Sequence, residues 1–178
     1  MSIMNSKYQW IEQKLDYYGV ACLEMILKRK GIKDIDQEQI AEFLVDARVL
    51  DINQINKFFE KYKLRLKAEF YPISKLGTQT SYYADKTADI RSFLKNNIRD
   101  PNSTSHPVND NDIIANFWVK EWETGHYALI DGIYEISVSF CDPDTRRKNT
   151  MAEYGALEIM MSNYYDQKER GFILISQL

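Results

Sequence analysis

The sequence predicts an α+β fold, with a helical N-terminal half packed on a mostly antiparallel sheet. Three observations predict it. In the first sixty or so residues, apolar side chains recur at helical spacing. From Leu64, and again from Ile113, they alternate or run in short blocks, as strands do. Helices first and strands after is the order of an α+β chain rather than of alternating βαβ units. Finally, 178 residues at 44% hydrophobic and 28% charged content are ordinary for a single domain, residues 1–178, with a real core.

Residues 1–12 are polar with scattered Tyr8, Trp10 and Ile11. They are expected to pack loosely on the domain or to form a short first helical turn. The stretch from Gln13 to Gly31, QKLDYYGVACLEMILKRKG, reads as an extended lead-in, a turn at Gly19 and an apolar helix to about Lys30. Ala21, Leu23, Met25, Ile26 and Leu27 form its buried body. Lys28, Arg29 and Lys30 suit the negative end of the helix dipole, and Gly31 is a natural stop. Asp36 with Gln39 has the spacing of a capping box, opening a helix through Ile40, Phe43 and Leu44. Asp51 caps a third helix, whose Ile52, Ile55, Phe58, Phe59 and Tyr62 share one face.

Leu64, Leu66, Ala68 and Phe70 alternate with Arg65, Lys67 and Glu69, which predicts a half-buried strand ended by Pro72. Residues 74–88 read as polar turn, with Gly77 and the Tyr82-Tyr83 pair. Asp89 to Ile98 reads as a short helix, and Asp100 to Asp112 as a loop rich in Asn, Asp, Ser and Pro. Strands are expected at Ile113 to Val119, Tyr127 to Ile130 and Ile133 to Phe140, with Asp131-Gly132 near a turn. An amphipathic helix from Met151 to Tyr164 and a closing strand from Phe172 to Ile175 complete the chain.

Composition narrows the function classes. The formal net charge of −3 gives no basic field for nucleic acid. The first ten residues, MSIMNSKYQW, lack the apolar run of a signal peptide, and no stretch approaches the ~20 apolar residues of a membrane span. The expected setting is a reducing cytoplasm. The two cysteines, Cys22 and Cys141, imply no disulfide framework, and no pair of Cys22, Cys141, His126 and Asp142 has close metal-ligand spacing. No cofactor or metal is expected. The 12 Tyr and 8 Phe supply core area, and Tyr can also line a wet groove. Trp118, Trp122, Tyr127, Tyr82 and Tyr83 are candidates for that lining, with core or surface packing as the alternative.

Chemistry centres on His126, in GHYALIDGI, and Asp142, in FCDPD. A His opening one strand and an Asp closing the next can meet at one end of a sheet. The Asp then fixes the imidazole tautomer, as in a nucleophile–His–acid triad. A surface or structural His is the plainer alternative. His106 precedes Pro107 in a polar loop and is expected to be solvated. Arg146, Arg147 and Lys148 form a short basic cluster, either a solvated surface or a contact for an acidic peptide.

DYYGVACLEMILKRKG resembles the active-site helix of the peptidase C39 family, papain-like cysteine peptidases with Asp-Cys-Gly-Val-Ala-Cys-Leu-x-Met-Ile-Leu and a final Gly. GHYALIDGI resembles their catalytic His strand, Asp142-Pro143 their His-orienting Asp-Pro, and ERGFILISQL their last strand. The resemblance spans nearly the whole chain and implies a papain-like fold. It breaks at the centre: family peptidases place the nucleophilic Cys just before the Gly, where this chain has Tyr18. Cys22 aligns with the second, non-nucleophilic Cys. A phenol with a pKa near ~10 is a poor acyl nucleophile, and its ring takes up cleft space. Degenerate C39-like domains of toxin-exporting ABC transporters also carry Tyr at this place and bind substrate rather than cut it. No transporter segment follows here, so only the domain is expected to be shared.

Two further positions follow from the resemblance. The family's oxyanion-donating Gln precedes the nucleophile by six residues, which is Glu12 here. An ionised carboxylate cannot donate, so Gln13 is the better candidate, with a solvated Gln as the alternative. Cys22 lies one helical turn, about 5–6 Å, beyond Tyr18 and is either core packing or a replacement nucleophile. Three functions remain open. The first is a catalytically impaired domain that binds a peptide or unfolded protein segment, with Tyr18, His126 and Asp142 as a hydrogen-bonded remnant. The second is an active cysteine peptidase or acyltransferase using Cys22, His126, Asp142 and Gln13. The third is an interaction or immunity-type protein that does not use the cleft.

Overall fold

The computed structural model describes residues 6–14, 16–76, 87–98, 111–147, 149–162 and 169–178. Three helices come first: α1 (Tyr18–Arg29), α2 (Gln37–Phe43) and α3 (Ile52–Lys61). Then follow β1 (Leu66–Pro72), α4 (Thr87–Asn97), β2 (Asp112–Val119), β3 (Thr124–Ile133), β4 (Ser137–Cys141), β5 (Asn149–Glu153), α5 (Tyr154–Met161) and β6 (Gly171–Gln177). The strands form one antiparallel sheet in the order β1-β6-β2-β3-β4-β5.

The predicted caps hold. Asp36 accepts from the Gln39 N–H while the Gln39 amide accepts from the Asp36 N–H, and Asp51 accepts from the Gln54 N–H. Gly31, at φ +82°, ends α1. Its N–H bonds the Lys28 carbonyl and that of Ile32 bonds Leu27, the Schellman pattern that needs a left-handed residue.

The strand period of two sorts side chains onto two faces. Ile114, Tyr127, Leu129, Ile173 and Ile175 meet α1, α2 and α3 in one core. Ile113, Phe117, Ala128, Ile130, Phe172 and Leu174 meet α4 and α5 in the other. Every residue of α1 from Gly19 to Leu27 is buried, so this helix is enclosed rather than amphipathic. Each large aliphatic side chain in it contributes about 1.5–3 kcal/mol by burial. Such a helix is a rigid mount for whatever stands at its first position.

Four expectations are corrected. Residues 6–14 form no helical turn and are not loose; they are an extended strap tied to the sheet. The Lys7 N–H bonds Asp131, the Tyr8 hydroxyl donates to Asp112 at 2.7 Å, and the Trp10 indole N–H donates to the Asp142 carbonyl at 2.7 Å. Asp131-Gly132 does not turn the chain. It lies inside β3, at a shift of register against β4, and the reversal is closed by Tyr134 N–H bonding Ser137 O. A Cβ on Gly132 would stand 2.7 Å from Ser139 Oγ on β4, so a side chain there would displace that hydroxyl. The helix expected from Met151 begins only at Tyr154, because Thr150, Met151 and Ala152 pair with β4 as an edge strand. Asp112 is no loop residue; it opens β2, fully buried, and is paired with Arg29 and Lys30 at 2.9 Å each. The readings on Gly77, Tyr82, Tyr83, His106, Lys148 and residues 163–164 lie outside the described residues, as does most of the Asp100–Asp112 loop.

Candidate functional site

Tyr18 is the first residue of α1. The Ala21 N–H is bonded to the Tyr17 carbonyl, so the helix's free N–H groups are those of Tyr18, Gly19 and Val20. No acidic side chain stands in this first turn and no side chain caps it. Gly19 lets the 44–51 connection close over the helix start: a Cβ there would lie 2.5 Å from Leu50 Cγ.

His126 stands near the start of β3, opposite Phe117 on β2. Leu129 pairs with Cys141. Continuing that register places Asp142 opposite Ala128, one diagonal step from His126 and within reach of a side chain. His126 Nε2 meets both oxygens of Asp142, at 2.8 and 2.9 Å, and both residues are fully buried. With the carboxylate ionised, Nε2 carries the proton and donates. Nδ1 is then the lone-pair nitrogen of the neutral ring, a tautomer assigned from this network. That nitrogen is buried and has no hydrogen-bond partner among the described residues.

Asp142 is held from several sides. It accepts from the Asp144 N–H at 2.9 Å, and Arg147 Nε lies 3.6 Å from its outer oxygen. Trp10 fixes its carbonyl, and the Gln13 N–H bonds the next carbonyl, that of Pro143, at 3.1 Å. The sequence-predicted oxyanion residue and the orienting acid are therefore neighbours. The Gln13 side-chain oxygen is buried without a partner, whereas Glu12 is exposed and contributes its carbonyl to the Gln37 amide.

Tyr18 reaches His126 through its ring and not through its hydroxyl. The ring centroids are 4.3 Å apart at 66°, and no hydrogen bond joins them. The expected three-membered hydrogen-bonded remnant is thus a hydrogen-bonded pair with an aromatic ring against it. Trp122 and Phe117 add two more edge contacts, each at 5.4 Å, so the imidazole is enclosed by three rings. Cys22 is fully buried in the helical core. Burial pushes its thiol well above the ordinary value, with Asp142 and Cys141 adding to the effect. Cys141 is also buried and forms no disulfide, its sulfur 3.7 Å from that of Met25.

Of the candidate groove residues, Tyr127 is buried in the helical core, its hydroxyl meeting the Leu50 N–H, and Trp118 lies against Arg170. Among the described candidates, Trp122 alone joins the site. Sequence reasoning missed Trp10 and Phe117, whose ties to the His–Asp pair cross between distant segments, and Asp144, whose N–H bonds Asp142 two residues back. Asp144 alone carried a signal, the Asp-x-Asp spacing that lets Asp142 accept from a backbone N–H two residues on.

The site is thus a fully enclosed helix that presents its first residue to a buried His–Asp pair at one end of an antiparallel sheet. No protein-family model matches the chain, and no curated protein matches it. Solved structures do. The chain is similar to the peptidase domain of Streptococcus ComA, a bi-functional ABC transporter involved in quorum sensing, with a TM-score of 0.55 and 14% identity over 96% of this chain and 99% of that one. It is also similar to a double glycine motif protease from an AMS/PCAT transporter in complex with the leader peptide, at 0.53 and 14% over 100% and 97%. The fold is that of these C39-like domains from end to end. Among the described residues, no helix is long and apolar enough to cross a membrane.

Proposed function

We propose that the chain is a catalytically impaired, C39-like papain-fold domain that binds a peptide or protein segment across its former active-site cleft. The observation that carries this reading is the Tyr18 ring packed on His126, with the nearest candidate thiol, Cys22, sealed in the core. His126 and Asp142 are the remnant of a general base and its orienter, Gln13 that of the oxyanion donor, and Tyr18 stands in the nucleophile's place. A structural neighbour that holds a leader peptide supports peptide as the ligand class. Because the imidazole is wholly enclosed, the ligand would lie across Tyr18 and Trp122 and not on His126 itself. Two buried cysteines that form no disulfide suit a reducing cytoplasmic setting.

The test combines two measurements on the wild-type chain. Peptide and thioester substrates should show no turnover, and iodoacetamide at neutral pH should leave Cys22 unlabelled. Pooled peptides should shift the Trp122 indole resonance, and Trp122→Ala should abolish binding. Stoichiometric Cys22 labelling that is lost in His126→Ala would establish the cysteine hydrolase instead. The complete burial of His126 favours one further reading, an interaction protein that does not use this cleft. Partner binding that survives Trp122→Ala would select it.

A further inference from the structure

The surface beside Trp122 carries a charge pattern that the overall composition hides. Asp142 and Asp144 are both buried, and their carboxylates point inward to His126, Arg146 and Arg147. The guanidiniums they hold face the other way. The Arg146 side chain is 62% exposed and that of Arg147 23%, while the carboxylates they pair with are 4% and 0% exposed. In these two pairs solvent therefore meets the guanidiniums and not the carboxylates.

Arg146 is also fixed in place. Its Nε and Nη2 make a fork with Asp144 at 2.9 and 2.7 Å, and its backbone N–H bonds the same carboxylate. The guanidinium lies 4.0 Å from the Trp122 ring centroid, and Arg147 lies 5.6 Å from the same ring and 5.9 Å from Phe117. Its remaining N–H groups, beyond those given to Asp144, stay available to an acceptor. Through Trp122, which packs on His126 at 5.4 Å, Arg146 belongs to the same ring cluster as Tyr18. The free N–H groups at the start of α1 lend the same sign to the other side of Tyr18. Exposed Glu121 and Glu123 flank Trp122 in the chain, so the fixed fork of Arg146, and not an excess of positive charge, is what an acceptor would meet.

We infer that the cleft selects peptides carrying an acidic side chain, whose carboxylate is taken by Arg146 over Trp122 with Arg147 behind it. This rests on the peptide-binding reading and narrows it. Both guanidiniums are already ordered by ion pairs and stacking, so little side-chain freedom is lost when a carboxylate arrives. A planar fork also discriminates a carboxylate from the isosteric amide, which offers it only one acceptor oxygen.

The experiment uses capped pentapeptide pools with Glu or Gln fixed at the centre and Ala, Leu or Gly at the flanks. A third pool has the central Gln and a free C-terminal carboxylate. Binding is read from the Trp122 indole resonance of the full chain. The Glu pool should bind at least about fivefold more tightly than the Gln pool. Arg146→Gln should bring the Glu and Gln pools to the same affinity, and raised salt should erode the preference in the wild type. Equal binding of the Glu and Gln pools would overturn this inference and leave the peptide-binding reading intact. Preference for the free C-terminus alone would also overturn it, as capture of a chain end. If no pool moves the Trp122 resonance, both readings fall.

Discussion

Replacing Tyr18 by cysteine tests whether the remaining machinery still matches a thiol. The substitution removes a half-buried ring, at a cost of about 2 kcal/mol, roughly half of that for a fully buried aromatic. It places a sulfur at the start of α1, beside three free N–H groups and the buried His126 ring. A free thiol has a pKa near ~8.5, so only about 1% is thiolate at pH 6.5; next to a helix N-terminus and a His the value falls to about 3.5–7.5. At the low end of that range the thiolate fraction at pH 6.5 rises by up to about a hundredfold. The native cysteines give a clean background. Both are buried, so their labelling waits on opening of the fold, a suppression of about 10³–10⁸ for a typical domain. Iodoacetamide followed by intact mass should show one label per chain in Tyr18→Cys and none in the wild type. The label should persist at pH 6, and His126→Ala in the same background should return the ordinary thiol pH profile. Labelling of the variant no faster than the wild type, or with an unshifted pH profile, would refute the claim that His126 and α1 still form a working base and anion site.

Three further outcomes are expected. Gly19→Ala puts a Cβ within 2.5 Å of Leu50 Cγ and should cost about 1–3 kcal/mol in urea denaturation, despite alanine's better helix propensity. Asp112→Asn removes the fully buried carboxylate that pairs with Arg29 and Lys30. It should lower stability by about 3–5 kcal/mol, whereas Tyr8→Phe, which loses only the hydroxyl bond, should cost about 1–2 kcal/mol. The hydrogen bonds from Arg146 hold the Asp144 carboxyl below its ordinary value. A depressed carboxylate stabilises the fold above the unfolded-state value and loses that contribution as pH falls through the folded one. Thermal melts of wild type and Asp144→Asn should therefore differ at neutral pH and converge in acid below the usual carboxylate range.

What the sequence showed plainly was local. The caps at Asp36 and Asp51, the stop at Gly31 and the enclosed run of α1 depend on neighbours a few residues apart, and each is where it was expected. The meeting of His126 and Asp142 followed from strand ends and is also seen. The misreadings have one cause. Asp131-Gly132 has the composition of a turn, but the fit of β4 makes it a bulge. Met151 looks helical alone, yet the open edge of β4 draws it into the sheet. The strap looked loose because its partners, Asp112, Asp131 and Asp142, lie more than a hundred positions away. The enclosure of His126 by Tyr18, Phe117 and Trp122 is a fact of packing that no spacing encodes.

The place of β6 in the sheet bears on how the chain is made. It lies between β1 and β2, which touch each other nowhere in the strand order, yet it is synthesised after every other strand. Until it emerges from the ribosome, β1 has no partner, and α1 faces a sheet that lacks a central member. A nascent chain halted before Gly171 would hold an open apolar slot that invites chaperones or a neighbour's strand. Folding should thus behave as a late, all-or-none closure, sensitive to anything that delays or removes those seven residues.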